Sequence, residues 1–324
     1  MEEKECLWFS PGIMNREMFY VSMACIYSLL NLITLVFSLI IILTIALNWQ
    51  SHFCSISNLL ICNSSFVFIL YAFSCFIQIP FMFINHHRTS FCQLRAFFTV
   101  YTACTQILTY LSQAIFRYFS TIHYQRKILL TFRVNILIIL LGWTIPLIFT
   151  SSLLASPYAY RYEPESRLCF LTTKYFSTSA LISISILFIP LTIIIVLYGL
   201  ILRKITQHQF QSNSINMIRY KRNLKVFHNI LISVGIILVC GIPFVISMFM
   251  NLISKSPWMF YSIIILSISL AMSLESMVLF FRTKKIKQMF YAKIGYRQIE
   301  IQTRQLRRRD QILIIKSQTK RYQI

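Results

Sequence analysis

Long apolar blocks separated by short polar stretches dominate the chain. They run from about Phe19 to Leu47, Cys54 to Ile84, Cys92 to Ile122, Ile128 to Leu154, Phe176 to Leu202, Val226 to Ile253 and Trp258 to Phe281. Each is about 24 to 31 residues long, enough to cross a hydrocarbon core of about 30 Å with tilt. Their cores are rich in Ile and Leu and lack the strict alternation of a barrel strand, so helices are predicted. The expected fold is an all-α integral membrane protein, a seven-transmembrane helix bundle with a short amphipathic helix after the seventh span. An odd number of spans puts the termini on opposite sides.

Composition supports that reading. Hydrophobic residues make up 57% of the chain and charged residues 12%, against about one quarter charged in soluble domains. The net charge of +22 does not indicate nucleic acid, because the basic residues sit between and after the apolar blocks rather than along a soluble face. Thirteen of the 31 Lys and Arg follow Phe281. Others cluster as Arg117, Arg126, Lys127 and Arg133 and in the connection after the fifth span. The positive-inside rule then places the C-terminus in the cytoplasm and the N-terminus outside, and the expected location is the plasma membrane. The start, Met1-Glu2-Glu3-Lys4-Glu5, is acidic and unlike a secretory signal, so the first span is expected to be retained.

The expected organisation is an extracellular tail over 1–18, a transmembrane domain over 19–281, an interfacial helix over 282–291 and a basic cytoplasmic tail over 292–324. In the third of these, Phe281, Ile286, Met289 and Phe290 share one helical face flanked by lysines, a pattern suited to anionic lipid.

Candidate chemistry is sparse. Nine cysteines show no Cys-x-x-Cys spacing, so no metal site is indicated and no cofactor is expected. Acids, histidines and cysteines do not gather as an enzyme site requires, so no catalytic role is expected. A transporter or channel is disfavoured, since only one acid, Glu275, lies in any span and no internal repeat is evident. That carboxylate is expected to face the bundle interior, either protonated or partnered, with Gln106, Ser273 and Ser276 as candidate neighbours.

Several residues at fixed spacing carry a family resemblance. Cys92 precedes Phe116-Arg117-Tyr118 by the interval found between the third-helix cysteine and the Asp-Arg-Tyr motif of rhodopsin-like, or class A, G-protein-coupled receptors. Trp143 lies in the fourth span, Pro190 and Tyr198 share the fifth, and Asn58 and Asn63 lie in the second. Cys240-Gly241-Ile242-Pro243 stands where that family has Cys-Trp-x-Pro. Over roughly residues 20 to 291 the chain resembles a divergent member. The motif acid is Phe116, the second-helix aspartate position is Phe68, the sixth-helix tryptophan is Gly241, and Asn-Pro-x-x-Tyr reads Glu275-Ser276-Met277-Val278-Leu279.

The resemblance implies particular roles. Cys92 and Cys169 would form a disulfide across the outer face. Arg117, Tyr118 and Tyr198 would serve coupling to a heterotrimeric G protein, and Phe116 in place of an acid implies raised basal activity. Cys240, Gly241, Pro243 and Glu275 would form the switch, with the proline loosening the sixth helix, and Glu275, across from Phe68, would stand where the family's pocket can hold a sodium ion. An extracellular ligand, peptide or small molecule, would meet Thr99, Phe244, Met248 and Ser269. Thr99 and Ser269 replace the acid of amine receptors and the lysine of opsins, which disfavours both of those ligand types. The alternative is a decoy receptor that binds ligand without coupling.

Overall fold

The computed structural model describes residues 16–47, 55–83, 89–122, 130–156, 159–163, 166–173, 175–209, 215–253 and 260–283. Among these, the apolar blocks form helices α1 (Arg16–Leu47), α2 (Ile56–Phe83), α3 (Thr89–Ile122) and α4 (Phe132–Leu154). After a two-stranded hairpin come α5 (the consecutive stretches Phe176–Ile182, Ser183–Phe188 and Ile189–Gln209), α6 (Ile215–Ile253) and α7 (Phe260–Arg282). The ends fall within a few residues of the sequence expectation for most spans, but α6 begins about three turns earlier. Of the expected helix over 282–291, only Arg282 and Thr283 are described. The tails over 1–15 and 284–324 lie outside the described residues.

Six of these helices, all but α3, are long and apolar enough to cross a membrane. The 34-residue α3 is more polar for a structural reason. It is central, packing on α2, α4, α5 and both strands, and its Thr99, Thr102, Thr105, Gln106, Thr109 and Ser112 are all buried.

The bundle sets polar side chains among a buried apolar core and turns apolar side chains outward. Leu29, Leu32, Val36 and Leu43 of α1 and Leu137, Leu140 and Ile148 of α4 are exposed, as lipid-facing side chains should be. Polar side chains join the helices within. Gln78 of α2 donates to Thr99 Oγ1 of α3 at 2.6 Å, and Gln113 of α3 donates to Ser64 Oγ of α2 at 2.8 Å. Tyr71 of α2 meets Ser269 of α7 at 3.1 Å, and Trp143 Nε1 of α4 donates to Asn63 Oδ1 at 2.9 Å. In lipid, where apolar contact supplies little net drive, each such bond contributes about 0.6 kcal/mol.

The fifth span is not a uniform helix. It runs as Phe176–Ile182, a π-helical Ser183–Phe188, and Ile189–Gln209, with the Ile189 N–H reaching back to the Ile184 carbonyl. Pro190 explains the irregularity. Its ring would crowd the carbonyl four residues earlier and it has no N–H to donate, and a wider turn just ahead of it relieves both problems.

Between the fourth and fifth spans, β1 (Tyr160–Glu163) pairs antiparallel with β2 (Leu168–Leu171), Tyr162 opposite Cys169. The sequence analysis predicts no strand in this stretch. Its turn includes Arg167, at φ 53°.

Candidate functional site

A cavity of about 160 Å³ lies between α3, α5, α6 and α7, under the hairpin. Its wall on α3 is Val100, Ala103, Cys104, Gln106, Ile107 and Tyr110, and on α5 it includes Ile182, Ser183, Ile186 and Leu187 from the irregular stretch. Cys240, Gly241 and Phe244 of α6 face Ile268, Met272 and Glu275 of α7. Phe170 and Leu171 of β2 form the roof. A Cβ on Gly241 would find only Leu187, at 4.0 Å, so the missing tryptophan leaves open room here.

The roof is fastened at three places. Cys92 of α3 and Cys169 of β2 form a disulfide with Cα atoms 5.3 Å apart. Tyr160, whose phenol is kept neutral as burial pushes its pKa up, donates to the Thr150 carbonyl of α4 at 3.1 Å. Thr173, just past β2, is a junction. Its hydroxyl lies 2.8 Å from Tyr261 of α7 and 3.2 Å from Ser247 of α6, and it accepts from Asn251 of α6 at 2.6 Å. Arg95 of α3 adds a further tie, stacking 3.7 Å over the Phe81 ring and donating to Cys169 Sγ at 3.4 Å.

At the cavity floor, Glu275 is 3% exposed, on the interior side as expected. Its Oε2 accepts from Tyr110 at 2.9 Å, and the Ser233 hydroxyl lies nearby. The neighbours expected from the sequence serve other ends. Ser273 donates to the Leu270 carbonyl and Ser276 to the Ser273 carbonyl of their own helix, while Gln106 shares the cavity wall.

Below the floor, Tyr110, Gln113, Tyr198, Ser233 and Arg282 line a smaller void of about 20 Å³. Arg282 is within electrostatic reach of Arg117, Tyr198 and Glu275, so a column of polar groups leads from the cavity towards the end of α3. Tyr198 is buried among Ala114, Leu191, Ile194 and Val234, with Tyr118 packed against that cluster. Lys204 of α5 donates to the Ile122 carbonyl at 2.9 Å, capping the end of α3.

The structure gathers some of the expected residues and disperses others. Phe244, Cys240, Gly241 and Glu275 line the cavity, whereas Thr99, Met248 and Ser269 do not. Thr99 is taken up by Gln78 and by the Arg95 carbonyl, and Ser269 by Tyr71. Pro243 lies within α6, which continues to Ile253. The sequence reading missed Tyr110, Ser233, Thr173 and Arg282. Only Arg282 left a signal, as a cation at the end of an apolar block.

A helical membrane protein with a capped interior cavity is thus defined by the geometry. The model of the seven-transmembrane receptor (rhodopsin) family matches residues 37–278. The chain belongs to that family of receptors. A comparison with curated proteins finds none that matches it.

Proposed function

We propose that the chain is a plasma-membrane receptor with seven spans, its N-terminus outside and its basic C-terminal tail in the cytoplasm, with residues 282–291 lying on the inner leaflet. It takes an extracellular ligand into the cavity under the hairpin and signals to a heterotrimeric G protein through a shift of α6 between two states. The observation that carries this reading is the shared wall of the cavity. Gly241 and Phe244 line it on either side of Pro243, where α6 lacks one backbone hydrogen bond, so a bound ligand bears on the least braced turn of that helix. Glu275 is common to the cavity and the polar column below it, which gives a route from ligand to Arg117. The Cys92–Cys169 bridge and the Thr173 junction fix the roof, so ligand contacts are met by a prepared surface.

A decoy receptor is the second reading, favoured by Phe116 beside Arg117 and by Gly241 in place of a tryptophan. Ligand-free G-protein activation in cells separates the two. The signalling receptor activates above untransfected cells and Arg117→Ala returns to their level, whereas a decoy gives no activation with either chain.

A further inference from the structure

Among the described residues, the cavity is closed on most sides and open on one. Its roof is tied to α3 by the Cys92–Cys169 bridge, to α4 by Tyr160, and to α6 and α7 by Thr173. Phe170 and Leu171, the roof residues that face the cavity, are buried. At the floor Glu275 is buried and held by Tyr110. At the sides α3 packs along α5, and α6 along α7. The flank between α5 and α6 is different. There Ser183–Phe188 packs on α3 but barely touches α6, and a Cβ on Gly241 would meet only Leu187, at 4.0 Å. Leu187, Ile237, Gly241 and Phe244 line the cavity yet are only partly buried. Ile184 and Phe188 beside them on α5, and Leu238 and Ile242 on α6, are exposed.

We propose that this flank is the entrance to the cavity, and that the ligand is a membrane-resident lipid whose hydrocarbon chain enters from the bilayer between α5 and α6. The proposal rests on the reading of this cavity as the ligand site and names the ligand class and its route. A ligand released outside the cell reaches the site by first dissolving in the leaflet on the hairpin side.

Depth decides what stands outside the gap. At about 1.5 Å per residue, Ser183–Phe188 lies about 10–18 Å along α5 from Phe176, and Gly241–Phe244 lies about 14–18 Å along α6 from Ile253. Both of those helix ends adjoin the hairpin, since Phe176 follows β2 closely in the chain and Asn251 bonds to Thr173. In a hydrocarbon core about 30 Å thick, the gap therefore opens near the middle, among acyl chains. A hydrocarbon chain that moves in exchanges one apolar setting for another and restores the dispersion contacts that the lining of a void lacks. A polar solute on the same path would have to shed its water first. The two prolines explain why the gap falls here. Pro190 sets the widened turn of α5 just ahead of it, and Gly241, two residues before Pro243, presents no side chain from α6. A lodged chain bears on Gly241 and Phe244, on either side of Pro243, so occupancy reaches the switch without disturbing the roof.

The test uses the full chain reconstituted in lipid discs, with no G protein present. The discs carry a trace of phospholipid with a photoreactive diazirine at the end of one acyl chain. Its two chains keep it in the bilayer, so it can label the interior only by the lateral route. Adducts are mapped by mass spectrometry after illumination. In the wild type they form on Ala103 and Met272, which line the cavity, as well as on the exposed Ile148 of α4. Excess unlabelled oleic acid removes the interior adducts and leaves those on Ile148. Gly241→Trp, which fills the gap, brings interior adducts down to the unilluminated background, while Ile148 is labelled as before and the melting transition is retained. Leu187→Ala, which widens the gap, speeds interior labelling. Adducts confined to exposed residues in the wild type overturn the proposal and mean that lipid only surrounds the bundle. Interior adducts that persist in Gly241→Trp, that oleic acid does not compete, or that form no faster in Leu187→Ala overturn it too. So does a charged, water-soluble diazirine probe that labels Ala103 and Met272 faster than the phospholipid, because entry then runs through the roof. Because the readout needs no G protein, failure here leaves the signalling reading intact, and failure of G-protein activation leaves this result intact.

Discussion

The hydroxyl of Tyr110 donates to Oε2 of Glu275 at 2.9 Å, tying the central helix to the seventh at the floor of the cavity. A carboxylate inside a bilayer costs a few kcal/mol unless it is matched, so this bond and its neighbours explain how α7 keeps an acid. Tyr110→Phe and Glu275→Gln should each lower the melting temperature of the purified receptor. The double variant should lose less than the sum, with a coupling of about 0.5–2 kcal/mol. Strict additivity would mean that the pair does not act as a unit.

The Cys92–Cys169 bridge spans 77 residues of sequence, and closing such a loop typically contributes about 2–4 kcal/mol. Cys92→Ala and Cys169→Ala should each reduce cell-surface expression, and the double variant should be no worse than either. A further fall in the double variant would show that each cysteine has a separate role.

Thr173 holds the hairpin to two helices at once, through Asn251 and Ser247 of α6 and Tyr261 of α7. Thr173→Val keeps the shape and removes the hydroxyl, so the neighbouring polar groups lose a buried partner, at about 1–3 kcal/mol. Hydrogen exchange should accelerate at Leu168–Leu171 with little change in α1 or α2. Unchanged protection of β2 would show that the disulfide alone sets the roof.

The spans themselves were legible because lipid demands long apolar helices, and six of the seven blocks yield helices that meet the demand on composition alone. α3 was legible by length and by Cys92 and Arg117 rather than by hydropathy, since a central helix turns polar side chains inward. The interior placement of Glu275 followed from the cost of exposing an acid to lipid. Its partner did not, because a tyrosine within an apolar block reads like any other core aromatic. Thr99 and Ser269 were misplaced as cavity residues for a related reason. Position along a helix gives depth, but whether a hydroxyl faces a void or a neighbouring Gln78 or Tyr71 depends on packing across helices. The π-helical stretch had a visible cause in Pro190, whereas the hairpin had none beyond its aromatic residues.

Topology can be read directly. The Asn63-Ser64-Ser65 sequon lies within α2, with Asn63 bonded to Trp143, and should stay unmodified. Sequons engineered into the N-terminal tail or the turn near Arg167 should be glycosylated, and one placed after Tyr291 should not. Glycosylation of the tail would reverse the orientation.

The central claim, that this receptor drives a G protein through the end of α3, is tested most directly by nucleotide exchange on a heterotrimer with the purified receptor in lipid discs and no ligand. With Phe116 in place of the acid found in this family, the wild type should accelerate exchange above empty discs. Phe116→Glu should lower that basal rate several-fold by giving Arg117 a partner, and Arg117→Ala should bring it to the level of empty discs. Exchange by the wild type at the level of empty discs, unchanged by either substitution, would contradict the account and leave a receptor that binds without signalling.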